Sequence, residues 1–260
     1  GCELGPRPID LHLSAFRQMG IEITEQHGEL ECVVTDGIKP SKIALSFPSV
    51  GATENIMLTA VKAKGTTIIT NAAKEPEISD LADFLNKAGA KILGAGTDRI
   101  EIIGVKKLHS VEHTVIPDRI VAATYMAAAA VSAGDIEIKN VNTEHIRRII
   151  DAYSEMGCKI VFCDSTLRIR APENLLRIRA TRSTVYPGFP TDMQAQMLTL
   201  AAMAKGTSVV VENVFENRFT HAGDLNRMGA DIWVNGRTAV VKGAERLYGA
   251  KVTARDLRGG

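Results

Sequence analysis

One arrangement of residues occurs three times along the chain, and this internal repeat limits the possible folds more than any other feature. Each copy opens with a glycine, continues with a β-branched strand, an asparagine and a helix, and closes with two short strands around a polar turn. The copies are residues 65–104, 134–171 and 206–243. A recurrence of this kind, with a period of about 70 residues here, predicts an architecture of repeated units.

The segments between the copies are apolar and rich in alanine and methionine. They cover residues 50–63, 120–133 and 193–204. Since small and apolar side chains occupy almost every position, we expect helices that are buried on most sides. The helix inside each copy has a single apolar face. Each unit is therefore predicted to read helix, strand, helix, strand, strand, with one helix inside and one outside, in an α/β fold.

The two ends of the chain contain incomplete units. Residues 8–40 offer one helix and a pair of strands, which is a unit without its first helix and strand. Residues 251–260 offer a strand and the first residues of a helix. The sequence thus predicts a fold truncated at both ends. A short linker at residues 111–117 predicts one domain over residues 1–116 and a second over residues 117–260.

Charge and apolar patterning exclude several classes of function. Lys and Arg total 31 against 30 Asp and Glu, a formal net charge of +1, which argues against nucleic acid or an anionic membrane as a partner. The longest apolar stretch, residues 120–131, is shorter than the ~20 residues needed to span a bilayer. No signal peptide is recognisable.

Cysteine and histidine usage points to a reducing compartment and to no metal. The 4 cysteines are scattered without a Cys-x-x-Cys pair, so they do not form a disulfide scaffold. The 6 histidines show no metal-ligand spacing. We expect a cytoplasmic protein without a metal or another cofactor.

The opening loop, GCELGPRPID, combines three features that favour chemistry. Cys2 lies on a flexible stretch, Arg7 stands between two prolines, and Asp10 precedes a helix. A neighbouring positive charge lowers the pKa of a thiol, and the exposed thiolate is its reactive form. The alternative interpretation is an incidental cysteine followed by an aspartate that caps the helix.

Two further motifs stand at the starts of apolar helices. In FPSVGATEN, the backbone of Ser49, Val50 and Gly51 could hold a phosphate at the helix N-terminus, although a serine cap with a glycine turn explains the motif equally. In YPGFPTDMQAQ, Asp192 occupies the position that Asp118 has in its own unit, which favours a helix cap. Its rigid, aromatic surroundings instead favour a desolvated carboxylate acting as a base.

Together these motifs, with NAAKEPEI, ENVFENRF and DLR, resemble the UDP-N-acetylglucosamine 1-carboxyvinyltransferase family, within the superfamily of 5-enolpyruvylshikimate-3-phosphate (EPSP) synthases. The resemblance extends along the whole chain in order. It implies an inside-out α/β barrel of repeated βαβαββ-type units in two pseudo-threefold domains, with helices within and sheets outside.

The resemblance also implies an activity and its residues. The enolpyruvyl group of phosphoenolpyruvate passes to the 3′-hydroxyl of UDP-N-acetylglucosamine and phosphate is released, which begins peptidoglycan precursor synthesis and serves cell wall biogenesis. Cys2 would be the acid on a mobile loop and the target of fosfomycin, and Asp192 would take the proton of the sugar hydroxyl. The implied substrate-binding residues are Arg7, Pro8, Ile9, Asp10 and Leu11 for uridine, Ser49, Val50 and Gly51 for the diphosphate, Val214 and Phe215 for the nucleotide sugar, and Arg258 for phosphoenolpyruvate.

Two alternatives remain open at this point. An EPSP synthase-like enzyme would use the same enolpyruvyl donor with a different acceptor. The second alternative is a non-catalytic module that binds a nucleotide sugar. It stays open because several phosphoenolpyruvate-binding residues of the family fall in segments outside this chain. We therefore expect the 260-residue chain to be inactive by itself, with other fragments of the same enzyme as its partners.

Overall fold

The computed structural model of the chain describes residues 8–253. The α-helices in this range are α1 (Asp10–Gln18), α2 (Val50–Ala60), α3 (Pro76–Lys87), α4 (Arg119–Val131), α5 (Arg147–Glu155), α6 (Gln194–Met203) and α7 (Ala222–Arg227). The strands are β1 (Glu22–Gln26), β2 (Glu29–Val33), β3 (Lys42–Ala44), β4 (Thr66–Thr70), β5 (Lys91–Leu93), β6 (Arg99–Ile103), β7 (Asp135–Ile138), β8 (Lys159–Cys163), β9 (Thr166–Arg170), β10 (Thr181–Ser183), β11 (Thr207–Glu212), β12 (Asp231–Asn235) and β13 (Thr238–Lys242). Short 3₁₀ turns precede α5 and α6, at Thr143–Ile146 and Thr191–Met193.

The described chain forms two compact units, residues 8–116 and residues 117–253. In the first unit, β1 and β2 make an antiparallel hairpin, and a four-stranded sheet has the order β3-β4-β6-β5. In the second unit, the sheets have the orders β7-β9-β8 and β10-β11-β13-β12. The two four-stranded sheets are equivalent, because each begins with a parallel pair and continues with antiparallel strands.

Helices α2, α4 and α6 are the helices between the repeat copies, and α2 and α6 are buried or half-buried at every position except Leu58, as their composition predicts. The prediction is wrong for α4: Ile120, Ala122, Ala123, Met126, Ala127, Ala129 and Ala130 are buried on one side, and Val121, Thr124, Tyr125 and Ala128 form an exposed stripe at helical spacing on the other. Helix α3 buries one face, through Ile78, Ala82 and Leu85. The observed order of helices and strands within the copies therefore confirms the predicted unit.

Each copy closes on a residue that lies against its own first residue. The N–H of Gly104, Ala171 and Gly243 donates to the carbonyl oxygen of Gly65, Gly134 and Gly206 respectively, at 2.9 Å in each case. In the first and third copies the closing residue also lies against the end of the preceding buried helix. A Cβ atom on Gly104 would lie 1.7 Å from the carbonyl oxygen of Ala63, and one on Gly243 would lie 1.6 Å from that of Ala204.

The structure corrects three expectations. Residues 251–253, where the sequence predicts a strand, have no regular secondary structure, and the rest of that segment lies outside the described residues. The buried helices are shorter than their apolar stretches, since α2 ends at Ala60 and α6 starts only after a 3₁₀ turn. Asp10 does not cap α1; it is the first helical residue, and Ile9 occupies the cap position without a side-chain hydrogen bond.

Within residues 8–253, none of the helices has both the length and the apolar character needed to cross a membrane.

The closing glycines give a test of the repeat packing. We expect Gly243→Ala to lower the free energy of unfolding by about 1–3 kcal/mol, because its methyl group cannot avoid a backbone carbonyl. Gly223→Ala is the matched control, since a Cβ there meets no atom within 4 Å. Urea unfolding followed by circular dichroism measures both. Equal stability of the two variants would contradict this account of the repeat contact.

Asp135 gives a test with pH. Hydrogen bonds from Arg168, at 2.8 and 2.9 Å, and from Arg170, at 2.8 Å, lower the pKa of the Asp135 carboxyl to about 2, although desolvation, the second-largest influence, raises it. A lowered carboxyl pKa stabilises the fold above the unfolded-state pKa of about 4, and this contribution disappears as pH falls through about 2.

We therefore expect wild type to lose its stability advantage over Asp135→Asn between about pH 4 and pH 2. The measurement is the urea midpoint of both proteins across this range. Asp151→Asn is the control, because Asp151 has one exposed partner, Arg148, at 3.7 Å. A difference between wild type and Asp135→Asn that does not change with pH would contradict the assignment.

Candidate functional site

In the first unit, the predicted phosphate motif lies at the start of α2. Ser49 is the N-cap of this helix, and its hydroxyl oxygen accepts a hydrogen bond from the N–H of Ala52 at 3.3 Å. Val50 and Gly51 are the first two residues of the helix, whose N-terminus carries a partial positive charge. The serine cap is therefore present, and it coexists with a helix end suited to an anion.

The start of α1 lies against the start of α2. The Nδ1 atom of His12 is 2.7 Å from the Nδ2 atom of Asn55, and a Cβ on Gly51 would be 3.2 Å from the His12 ring. Leu11 and Val50 pack against the same core. The structure thus brings together two segments that the sequence analysis assigned separately, residues 8–11 and residues 49–51. His12 connects them, although the sequence analysis gave it no role.

Acidic residues surround the next turn of α2. Burial raises the pKa of the Glu54 carboxyl, and the negative charges of Glu77 and Glu75 raise it further. Glu75 and Glu77 belong to the NAAKEPEI motif at the start of α3. The helix start that could take an anion therefore has carboxylates one turn further along.

In the second unit, Asp118 and Asp192 occupy equivalent positions but have different partners. The Oδ1 atom of Asp118 accepts hydrogen bonds from the N–H groups of Ile120 and Val121, at 2.8 and 3.0 Å, so this residue caps α4. Asp192 lies inside the 3₁₀ turn before α6 and is not a cap residue, since the cap positions of the turn and of α6 are Pro190 and Met193. Its Oδ1 atom accepts a hydrogen bond from Nη2 of Arg218 at 2.9 Å. Asp118 therefore caps its helix, whereas Asp192 does not occupy a cap position.

The environment of Asp192 also differs from the predicted aromatic enclosure. Its side chain is 38% exposed and pairs with a guanidinium whose own side chain is only 5% exposed. Arg218 lies over the ring of Phe215, with 5.1 Å between Cζ and the ring centroid. The aromatic ring thus packs against the arginine that holds the carboxylate. Arg218 is buried, whereas charged residues in such a turn are usually solvated.

Glu212, at the end of β11, joins the turn that contains Val214 and Phe215 to the segment that contains Asp192. Its Oε1 atom accepts hydrogen bonds from the N–H groups of Val214 and Phe215 at 2.7 and 3.0 Å. Its Oε2 atom accepts from the Thr191 hydroxyl at 2.8 Å. The side chain is buried, and these three hydrogen bonds satisfy both of its oxygen atoms. Val214, Phe215 and Asp192 therefore form one cluster.

Glu212 was missed in the sequence although the sequence contains a signal for it. Along β11, Ser208, Val210 and Glu212 alternate on the buried face of the strand. A carboxylate on a buried face requires hydrogen-bond donors from other segments. The other predicted site residues, Cys2, Arg7 and Arg258, lie outside the described residues, and Pro8 and Ile9 are exposed before α1.

Residues 8–253 contain no group of three or more His, Cys, Asp or Glu side chains arranged to hold a metal ion.

Comparison of the sequence with known proteins finds UDP-N-acetylglucosamine 1-carboxyvinyltransferases among its relatives. A protein of Caldanaerobacter subterraneus subsp. tengcongensis named UDP-N-acetylglucosamine 1-carboxyvinyltransferase 1 is 54% identical over 260 residues, which cover all of this chain and 62% of the relative. A UDP-N-acetylglucosamine 1-carboxyvinyltransferase of Finegoldia magna is 49% identical over 261 residues, again covering 62% of that protein. The chain thus spans about three fifths of the length of these relatives.

Solved structures share the fold. The enolpyruvyl transferase NikO from Streptomyces tendae matches with a TM-score of 0.80 at 23% identity, over 91% of this chain and 59% of that one. An EPSP synthase from Acinetobacter baumannii matches with a TM-score of 0.66 at 20% identity, over 95% and 59%. The sequence model of the family EPSP synthase (3-phosphoshikimate 1-carboxyvinyltransferase) matches residues 1–260. The chain therefore belongs to the EPSP synthase family and has its α/β fold.

Proposed function

We propose that this chain is part of an enzyme that transfers the enolpyruvyl group of phosphoenolpyruvate to the 3′-hydroxyl of UDP-N-acetylglucosamine and releases phosphate. The observation that carries the proposal is Asp192, a partly exposed carboxylate at a helix start that does not occupy the cap position. Relatives at about half identity along the whole chain have names that state this reaction. The reaction belongs to peptidoglycan precursor synthesis in the cytoplasm.

The proposal extends to the architecture. The two units would be parts of two domains, residues 1–116 and residues 117–260, each an inside-out barrel of pseudo-threefold repeats. Three helices rich in small residues and two sheets of equivalent order support this arrangement. The relatives are longer, so residues outside this chain would complete both domains and turnover would require them.

The chemistry is addition followed by elimination. Asp192 takes the proton of the sugar hydroxyl while the oxygen of that hydroxyl bonds to C2 of phosphoenolpyruvate. Cys2 gives a proton to C3, and the product of this addition is a tetrahedral ketal. In the elimination the Cys2 thiolate takes a proton back from C3, and the double bond re-forms as the C2–O bond to phosphate breaks. The leaving inorganic phosphate takes the proton held by Asp192. A carboxylate within reach of the hydroxyl fits the first step, because it accepts the proton as the new bond forms.

The binding assignments follow the two clusters. Arg7, Pro8, Ile9, Asp10 and Leu11 would contact uridine, and Ser49, Val50 and Gly51 the diphosphate. The contact between the starts of α1 and α2 supports placing these two parts of one nucleotide side by side. Val214 and Phe215 would contact the nucleotide sugar beside Asp192, and Arg258 would contact phosphoenolpyruvate. A phosphate at the start of α2 would gain from backbone N–H groups and the helix dipole.

An EPSP synthase activity is the second candidate, because the matching family model has that description. It differs in its acceptor, which would be shikimate 3-phosphate.

The acceptor distinguishes the two candidates. We expect the full-length protein containing this chain to release phosphate from phosphoenolpyruvate with UDP-N-acetylglucosamine and not with shikimate 3-phosphate. Asp192→Asn should lower kcat at least about 100-fold, since it removes the proton acceptor. Asp151→Asn, an exposed aspartate of the same unit, is the control and should retain activity. Turnover with shikimate 3-phosphate alone would replace the proposal by its rival.

Fosfomycin tests Cys2 against the other thiols of the same chain. Cys32 and Cys163 are exposed, whereas Cys158 is buried and burial raises the pKa of its thiol to about 11. We expect iodoacetamide at pH 8 to label Cys32 and Cys163 and to spare Cys158. Fosfomycin with UDP-N-acetylglucosamine should modify Cys2 alone, as peptide mass spectrometry would show. Adducts spread over the exposed thiols would indicate general reactivity and no assigned role for Cys2.

A further inference from the structure

We propose that Arg218 is a positioning residue for Asp192, and that the buried carboxylate of Glu212 holds the turn from which Arg218 acts. This inference rests on the proposed function, in which Asp192 accepts the proton of the acceptor hydroxyl. It assigns a role to two buried, oppositely charged residues that neither the motifs nor the names of the relatives assign.

The contact between Arg218 and Asp192 has the geometry of a fixed support. Nη2 of Arg218 lies 2.9 Å from Oδ1 of Asp192, and the arginine side chain is 95% buried while the aspartate remains partly exposed. A guanidinium keeps its charge at every physiological pH and donates along fixed directions in its plane. The ring of Phe215 limits the positions open to the guanidinium. Arg218 therefore holds the Asp192 carboxylate from the buried side and leaves its other side exposed.

Glu212 connects the same two segments a second time. Its three hydrogen bonds reach Val214 and Phe215 in the turn and Thr191 beside Asp192. Residues 191–192 are thus joined to residues 212–218 by two charge-assisted hydrogen bonds. Thr191 donates to Glu212 in one, and Asp192 accepts from Arg218 in the other. Side chains locked by such supporting hydrogen bonds hold a reacting group more precisely than a single contact does.

The third repeat copy alone has these two residues. The residue just before the repeat asparagine is Thr70 in the first copy, Lys139 in the second and Glu212 in the third. Five residues after that asparagine stand Pro76, His145 and Arg218. The repeat strand therefore needs neither charge, since the other copies form it without them. The turn after the strand does differ between copies: Asn71 and Asn140 have φ of 54° and 57°, and α3 begins at Pro76, whereas the helix of the third copy begins only at Ala222. Both charges occur in the third copy, whose turn contacts Asp192, an aspartate outside the cap position.

A positioning role predicts a specific pattern in the kinetics. In the full-length protein, Arg218→Met should lower kcat for phosphate release about 100-fold, because a carboxylate held about 1 Å out of place loses the orientation needed for transfer. KM for UDP-N-acetylglucosamine should change less than about threefold, since the carboxylate acts as bonds form. Arg218→Lys, which keeps the charge without the planar donors, should lose about tenfold.

The decisive comparison repeats Arg218→Met in the Asp192→Asn background. There, single-turnover phosphate release should fall by less than about twofold, because the carboxylate through which Arg218 acts is already gone. Arg227→Met is the matched control, an arginine of the same unit paired with Asp224 on the surface of α7, and it should leave kcat unchanged. Glu212→Gln should behave like Arg218→Met. It should lower kcat by itself and should cause little further loss of kcat in the Asp192→Asn background.

Each outcome decides between two accounts. An equal fold-loss in both backgrounds would mean that Arg218 acts on the fold in general, and an unaffected kcat would mean that it does not act at all; either overturns the inference. If Arg218→Met does not fold by circular dichroism, Arg218→Lys carries the same comparison. An inactive wild type would instead reject the proposed function and the inference with it, so the two failures are distinguishable.

Discussion

The close approach between the chain that follows α2 and α6 and the glycines that close the first and third repeats is the contact on which the rest of the structure depends. Gly104 and Gly243 leave no room for a Cβ atom beside the carbonyl oxygens of Ala63 and Ala204, which follow those two helices. Backbone segments can pack this closely only where no side chain stands between them. The repeat is therefore required by packing, and the loops at its strand ends are left to vary.

The candidate site lies where the loop after a repeat strand contains charged residues. Strand β11 ends in Glu212, while the equivalent strands end in Thr70 and Ile138, the latter followed by Lys139. A buried carboxylate must be met by donors, and the backbone of the following turn and Thr191 supply them. The same turn contains Arg218, which donates a hydrogen bond to Asp192 at 2.9 Å. A single framework thus produces one aspartate that caps a helix and one that pairs with a buried arginine.

Much of the fold could be predicted from the sequence, and less of the site. Periodicity and small-residue content identify the helices between the repeat copies, because few of their positions are charged. The position of Asp192 at a helix start is equally visible. Its partner is not, because Arg218 is 26 residues away and only folding brings the two within 2.9 Å. His12 and Asn55 are separated in the same way, by 43 residues.

The sequence by itself determined the repeated unit, the family and the residue types available for acid–base chemistry, since these depend on local pattern and on matching motifs. Only the tertiary structure decided which of two equivalent aspartates caps a helix and which is held by a buried arginine. The physical reason is that a carboxylate at a helix start has two competing sets of donors. Local N–H groups are always present, whereas a guanidinium competes only where a distant turn delivers it.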